Sequence, residues 1–219
     1  MSATFILVGW IIQPTNYGYL LGREKEVKGS RTKQISFVGV MTALCISSNY
    51  LMIGLSNVKF MDLLVFISGY VMGSTSGASV GILSWLIYGT LNPYGFNLPT
   101  LLATCIGESL FGLVGGVYRI RNTNSMPSKA LDRRRILLKK SFWASNIKMG
   151  VLGFLLTFSY DIFTNVVTGI VFEVPLAVYI IAGIPFTVVH EVSNFFFFFL
   201  GGNALIGAIK QITSEGGEL

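Results

Sequence analysis

The sequence predicts an all-α fold, a polytopic membrane helix bundle with six core transmembrane helices. Three observations lead there. Hydrophobic side chains make up 52% of the 219 residues and charged ones only 12%, about half the ~25% charged share of an ordinary soluble domain. The apolar runs are long and continuous rather than short and alternating, which suits helices and disfavours a β-barrel. The formal charge of +6 is gathered into clusters, the pattern of loops held on one membrane face. Clustering of that kind reads as topology and not as a nucleic-acid surface, so no nucleic-acid partner is expected.

Residues 1–34 form the first division. Met1–Gly22 carries no charged side chain, and its apolar stretch from Ala3 to Ile12 is short. It lacks the basic start and small-residue cleavage site of a signal peptide and reads as an extra or interfacial N-terminal helix. Arg23–Lys33 follows as a basic linker. The six-helix membrane domain occupies 35–209, and 210–219 is a C-terminal tail.

Within that domain the spans fall at about Ile35–Ile53, Phe60–Gly73, Gly77–Leu91, Leu98–Tyr118, Met149–Ile170 and Leu176–Ile209. Spans two and three are short, as tilted or re-entrant helices beside a site would be. The sixth is long, and Pro185 is expected to kink it or to follow an interfacial turn. Between spans four and five, Arg119–Lys148 holds nine of the sixteen Lys and Arg residues: Arg119, Arg121, Lys129, Arg133, Arg134, Arg135, Lys139, Lys140 and Lys148. Placing Arg23–Lys33 in the cytoplasm puts this segment and Lys210 there too, and leaves Lys59 as the one outward cation. The positive-inside rule then sets both ends of the six-span core inside, with Gly54–Lys59, Asn92–Asn97 and Val171–Pro175 facing out.

Glycine is the second organising signal. Gly69, Gly73, Gly77 and Gly81 recur every four residues across spans two and three, and Gly39, Ala43 and Ser47 form a small-residue stripe on span one. Such stripes let helix backbones approach closely in lipid. The four glycines are expected to pack within the chain, whereas Gly39 and Ala43 are equally suited to a partner.

Polar residues inside the apolar spans supply the candidate site. Thr100, Thr104 and Glu108 share one face of span four. Thr157, Asp161, Asn165 and Thr168 share one face of span five. Span six repeats the pattern with Thr187, His190, Glu191 and Asn194. A carboxyl group at the centre of such a helix costs ~2.5–3.5 kcal/mol on insertion scales and must face protein or water. Three polar faces in succession therefore predict a cavity opening outward between spans four to six, with Asn97 in the loop at its mouth. The substrate-binding candidates are Glu108, Thr104, Asp161, Asn165, His190, Glu191, Asn194 and Asn97. Asp161 and Asn194 also suit helix-to-helix bonding. Trp85 and Tyr88 suit a pocket wall, an interface anchor or packing equally.

Other chemistry finds little footing. His190-Glu191 begins a zinc-protease pattern, but the fifth position is Asn194 and no second histidine exists. Cys45 and Cys105 lack metal-ligand spacing. No nucleophile elbow and no phosphate-cradling loop is present. Neither catalysis nor a resident metal or cofactor is expected, and any use of ATP would need partners.

The six-span layout, the stripe on span one, the hairpin GYVMGSTSGASVG, the NPYG loop, YDIFTN in span five and PFTVVHEVSNFFF in span six resemble the S component, the substrate-binding membrane subunit, of an energy-coupling factor (ECF) vitamin transporter. The resemblance covers about Ile35–Ile209. It implies a multi-pass subunit in the cell membrane that captures a vitamin-like small molecule from outside. It also implies a transmembrane coupling subunit and two ATPase subunits as partners, with the S component toppling in the membrane to deliver its cargo. Small residues of span one dock on the coupling subunit in that family, which places Gly39 and Ala43 at the contact. The acidic and amide-rich stripes contain no Lys or Arg, so they favour a cationic or neutral hydrogen-bonding vitamin, thiamine-like, flavin-like or corrinoid. Two other classes fit the residues: a self-sufficient proton-coupled carrier or channel using Glu108, Asp161 or Glu191, and a structural membrane protein without ligand.

Overall fold

The computed structural model describes residues 31–91, 95–122 and 140–208. Among them are six α-helices and no strand: α1 (Arg31–Leu51), α2 (Met61–Met72), α3 (Ser74–Leu91), α4 (Leu98–Asn122), α5 (Lys140–Val171) and α6 (Leu176–Phe197). The last continues through a π-helical turn, Phe198–Gly202, into a final helical stretch at 203–208. The fold is the all-α bundle that the composition predicts.

At the centre is α2. Apart from Asp62 and Ser68 its sequence, MDLLVFISGYVM, is apolar or aromatic all round, and every residue from Met61 to Val71 is buried. A helix with no polar face belongs inside other protein. Its 12 residues reach ~18 Å at ~1.5 Å per residue, well short of a hydrocarbon core ~30 Å thick. It lies enclosed by α1, α3, α4 and the C-terminal part of the α6 segment. Among the described residues, four segments are long and apolar enough to cross a membrane: Arg31–Leu51, Leu98–Ile120, Phe142–Val171 and Leu176–Ala208. Their outer faces carry Val40, Leu44, Ile106, Ile162, Ile181, Val192 and Leu200 exposed, side chains suited to lipid. The chain is thus a helical membrane protein by the length and composition of its helices.

Glycine brings α2, α3 and α4 together. A Cβ on Gly77 would lie 2.5 Å from the Gly69 Cα and 2.8 Å from the Gly112 Cα, and one on Gly81 would meet the Glu108 backbone at 3.0 Å. These are backbone-to-backbone crossings, so the expected internal packing role holds for Gly69, Gly77 and Gly81. Gly73 departs from it. With φ 98° and no neighbour within 4 Å of its would-be Cβ, it turns the chain between α2 and α3 in the left-handed region that glycine enters without strain. The stripe on α1 faces the other way: Gly39, Ala43 and Ser47 are exposed, and no described residue lies within 4 Å of a Cβ on Gly39.

Pro185 lies inside α6, which runs unbroken from Leu176 to Phe197, so it does not follow a turn. A π turn follows further along. The extra residue there re-aims the phenylalanine run: Phe198 is fully buried, 5.2 Å and 6.4 Å by ring centroid from Phe66 and Phe111, while Phe196 stays 52% exposed. Gly150 and Gly153 of α5 make room for Phe195 and Phe198.

Helix ends differ from the sequence expectation at the basic segments. Arg31–Gln34 belongs to α1, α4 continues to Asn122, and α5 starts at Lys140, nine residues before the expected Met149. Apolar character stops at the hydrocarbon boundary, but backbone hydrogen bonding does not, so charged turns extend the helices beyond it. The leader before Arg31, most of the Arg119–Lys148 connection, Asn92–Tyr94 and the tail, Lys210 included, lie outside the described residues.

Candidate functional site

Asp161 on α5 and His190 on α6 face each other as their helical stripes predict, with His190 Nδ1 3.0 Å from Asp161 Oδ1. On its other side His190 Nε2 lies 2.8 Å from Asp62 Oδ2. Both ring nitrogens of a fully buried imidazole therefore meet carboxylates. A neutral imidazole supplies one donor and one acceptor, so two carboxylate partners require one additional proton in the triad, on the ring or on a carboxyl. Asn194, one turn further along α6, donates its amide to Asp62 Oδ2 at 2.6 Å and to Thr157 Oγ1 at 2.7 Å. The result is a closed polar core joining α2, α5 and α6. It also occupies both nitrogens with which His190 could hold a metal.

Glu108, on the adjoining face of α4, is fully buried and accepts the Trp85 indole N–H at 3.1 Å on Oε2. Glu108 Oε1, Asp62 Oδ1, Glu191 Oε1 and Asn194 Oδ1 are buried without a hydrogen-bond partner among the described residues. Above this layer sits Lys59, in the connection between α1 and α2. Its ammonium lies 5.1 Å from the centroid of the Trp85 ring and 5.2 Å from that of Tyr160, within the ~6 Å range of a cation–π contact.

Over Lys59 and the two rings opens a cavity of about 680 Å³. Its walls come from Asn49 at the end of α1, the connection from Met52 to Lys59, Trp85 and Tyr88 on α3, Thr100 and Thr104 on α4, Tyr160 to Thr168 on α5, and Tyr179 to Thr187 on α6. Tyr179, Gly183 and Thr187 are spaced by one turn, which aligns them on the inner face of α6. Asn57 ties the α1–α2 connection across the mouth by donating to the Phe186 carbonyl at 2.9 Å. A smaller cavity of about 300 Å³ adjoins it, sharing Trp85, Gly95, Thr100 and Thr104 and adding Asn97 and Phe172.

The sequence-predicted residues thus divide. Thr104, Asp161 and Asn165 line the main cavity, Asn165 with its amide 3.5 Å from Thr187 Oγ1. Glu108, His190, Glu191 and Asn194 are not part of its wall; they form the buried layer below. Asn97 lines only the smaller cavity, and its Oδ1 accepts the Thr100 N–H at 3.0 Å, capping α4. Sequence reasoning did not single out Asp62, and it assigned Lys59 to topology alone. The available signal was a lone carboxylate within an otherwise apolar helix too short to reach an interface. Asn49 and the residues of the α1–α2 connection carried no periodic signal at all.

No family model matches this chain, and neither a curated protein nor a solved structure matches it.

Proposed function

We propose that the chain is the substrate-binding membrane subunit of an ATP-driven uptake system for a vitamin-type micronutrient, resident in the cell membrane. The observation that carries this reading is the cavity of about 680 Å³ at the end of the bundle assigned outward by charge. Its volume lies within the ~300–1,000 Å³ range of small-molecule sites. Its walls combine aromatic rings with a few amides and hydroxyls, the usual composition of such sites. The family resemblance supports the same reading and supplies the partners, a transmembrane coupling subunit and two ATPase subunits. The exposed face of α1 at Gly39 and Ala43 suits docking, because no described residue covers it. Native mass spectrometry of the gently purified protein is the direct test. A retained small molecule of vitamin size is the expected result. No retained molecule, and no stabilisation by any member of a vitamin panel, would reject the reading.

A second reading has one observation in its favour. The Asp62–His190–Asp161 triad is a buried proton-holding chain with one member on the cavity wall, as a proton-coupled carrier would need. Proteoliposomes containing this chain alone separate the two. Uptake driven by a pH gradient supports the carrier, whereas uptake only after addition of coupling and ATPase subunits supports the binding subunit.

A further inference from the structure

Lys59 is the cation of the cavity wall, and it is half-buried. Its ammonium is held between two aromatic rings, and no carboxylate lies within 4.0 Å of it among the described residues. An ammonium carries three N–H donors, and ring faces satisfy its charge only in part. Asp62 and Glu108 interact with its charge through space, with no hydrogen bond to it among the described residues. Beside it, Trp85, Tyr88, Tyr160 and Tyr179 present ring surface to the same space.

We propose that the ligand of this cavity is a flat-ringed molecule carrying a single carboxylate that pairs with Lys59. This rests on the reading of the cavity as a ligand site and narrows its substrate class. The carboxylate accepts from the unspent ammonium donors, and the ring lies against the aromatic wall. One negative charge suits the site better than two, because Asp62, Glu108 and Asp161 lie close below and beside it and repel further anionic groups. The preference for a cationic or neutral vitamin drawn from the helical stripes is thereby reversed. Those stripes omit Lys59, which precedes α2 and belongs to none of them.

The test uses the full chain in detergent and acid–amide pairs on flat rings: nicotinate with nicotinamide, indoleacetate with indoleacetamide, and para-aminobenzoate with its amide. Binding is measured by calorimetry for the wild type, Lys59→Gln and Lys59→Arg, and native mass spectrometry identifies any molecule retained from the cell. At least one acid should bind tenfold or more tightly than its amide, Lys59→Gln should erase that gap, and Lys59→Arg should keep most of it. A retained molecule should carry a carboxylate. An amide bound as tightly as its acid, a gap preserved in Lys59→Gln, or a retained molecule without an acidic group overturns the carboxylate assignment and leaves the ligand cavity standing. Absence of both probe binding and any retained molecule overturns the cavity reading itself, and this inference with it.

Discussion

At the scale of single residues, Asp62 holds the site together by hydrogen-bonding to His190 and accepting from the Asn194 amide. Asp62→Ala leaves a buried imidazole and a buried amide without their partner, and breaking a buried pair in this way costs ~3–5 kcal/mol. Thermal unfolding in detergent should fall steeply for Asp62→Ala and less for Asp62→Asn, which keeps one acceptor oxygen. Equal losses would mean that volume, not the acceptor, is what matters there. Trp85→Phe keeps a ring near Lys59 but removes the indole donor from Glu108, at a cost of ~1–3 kcal/mol. In a Glu108→Met background that cost should largely vanish, whereas additivity within ~0.5 kcal/mol would show the two residues to be uncoupled. Glu108, Asp161 and His190 were legible in the sequence because an ionisable group inside a long apolar run has no cheap environment in lipid. Asp62 was not: it follows Lys59 by three positions at the edge of a short run, where a charge normally marks a loop. A contact between side chains 128 positions apart leaves no local trace.

At the scale of elements, glycine has opposite consequences on two helices. A Cβ at Gly112 would overlap the backbone of Gly77, which has no flexible side chain to move aside, so Gly112→Ala must push α3 from α4. Overpacking of this kind costs ~1–3 kcal/mol or more. Gly39→Ala meets nothing within 4 Å and should gain ~0.5–1 kcal/mol from helix propensity. Thermal melts of the two variants should move in opposite directions; a shift of the same sign would show that α1 is packed as tightly as α4. The six helices were readable almost to their ends wherever apolar runs were long, because bilayer thickness sets their length. The ends that escaped, at Arg31 and Lys140, are those where a helix outlasts its apolar stretch. The π turn at Phe198–Gly202 escaped because five consecutive phenylalanines carry no periodicity to break.

At the scale of the whole molecule, the positive-inside rule predicts that the α1–α2 connection faces outward. Ser56→Cys should react with an impermeant thiol reagent on intact cells while Ser128→Cys does not, and since Ser56 lines the cavity, bound ligand should slow that reaction. Labelling of Ser128→Cys alone would invert the molecule. If the chain is the binding subunit proposed above, Gly39→Leu should leave ligand binding by the isolated chain intact and abolish uptake once the coupling and ATPase subunits are added; a loss of binding would assign α1 to the interior. The enclosure of α2 also bears on how the protein is made. The groups that pair with Asp62 leave the ribosome 128 and 132 residues after it, on the order of ten seconds later at ~5–20 residues per second. Until then α2 has neither the length to cross the bilayer nor those two partners for its acid. Among the described helices, α6 comes latest in the chain, and its side chains complete the polar enclosure of α2.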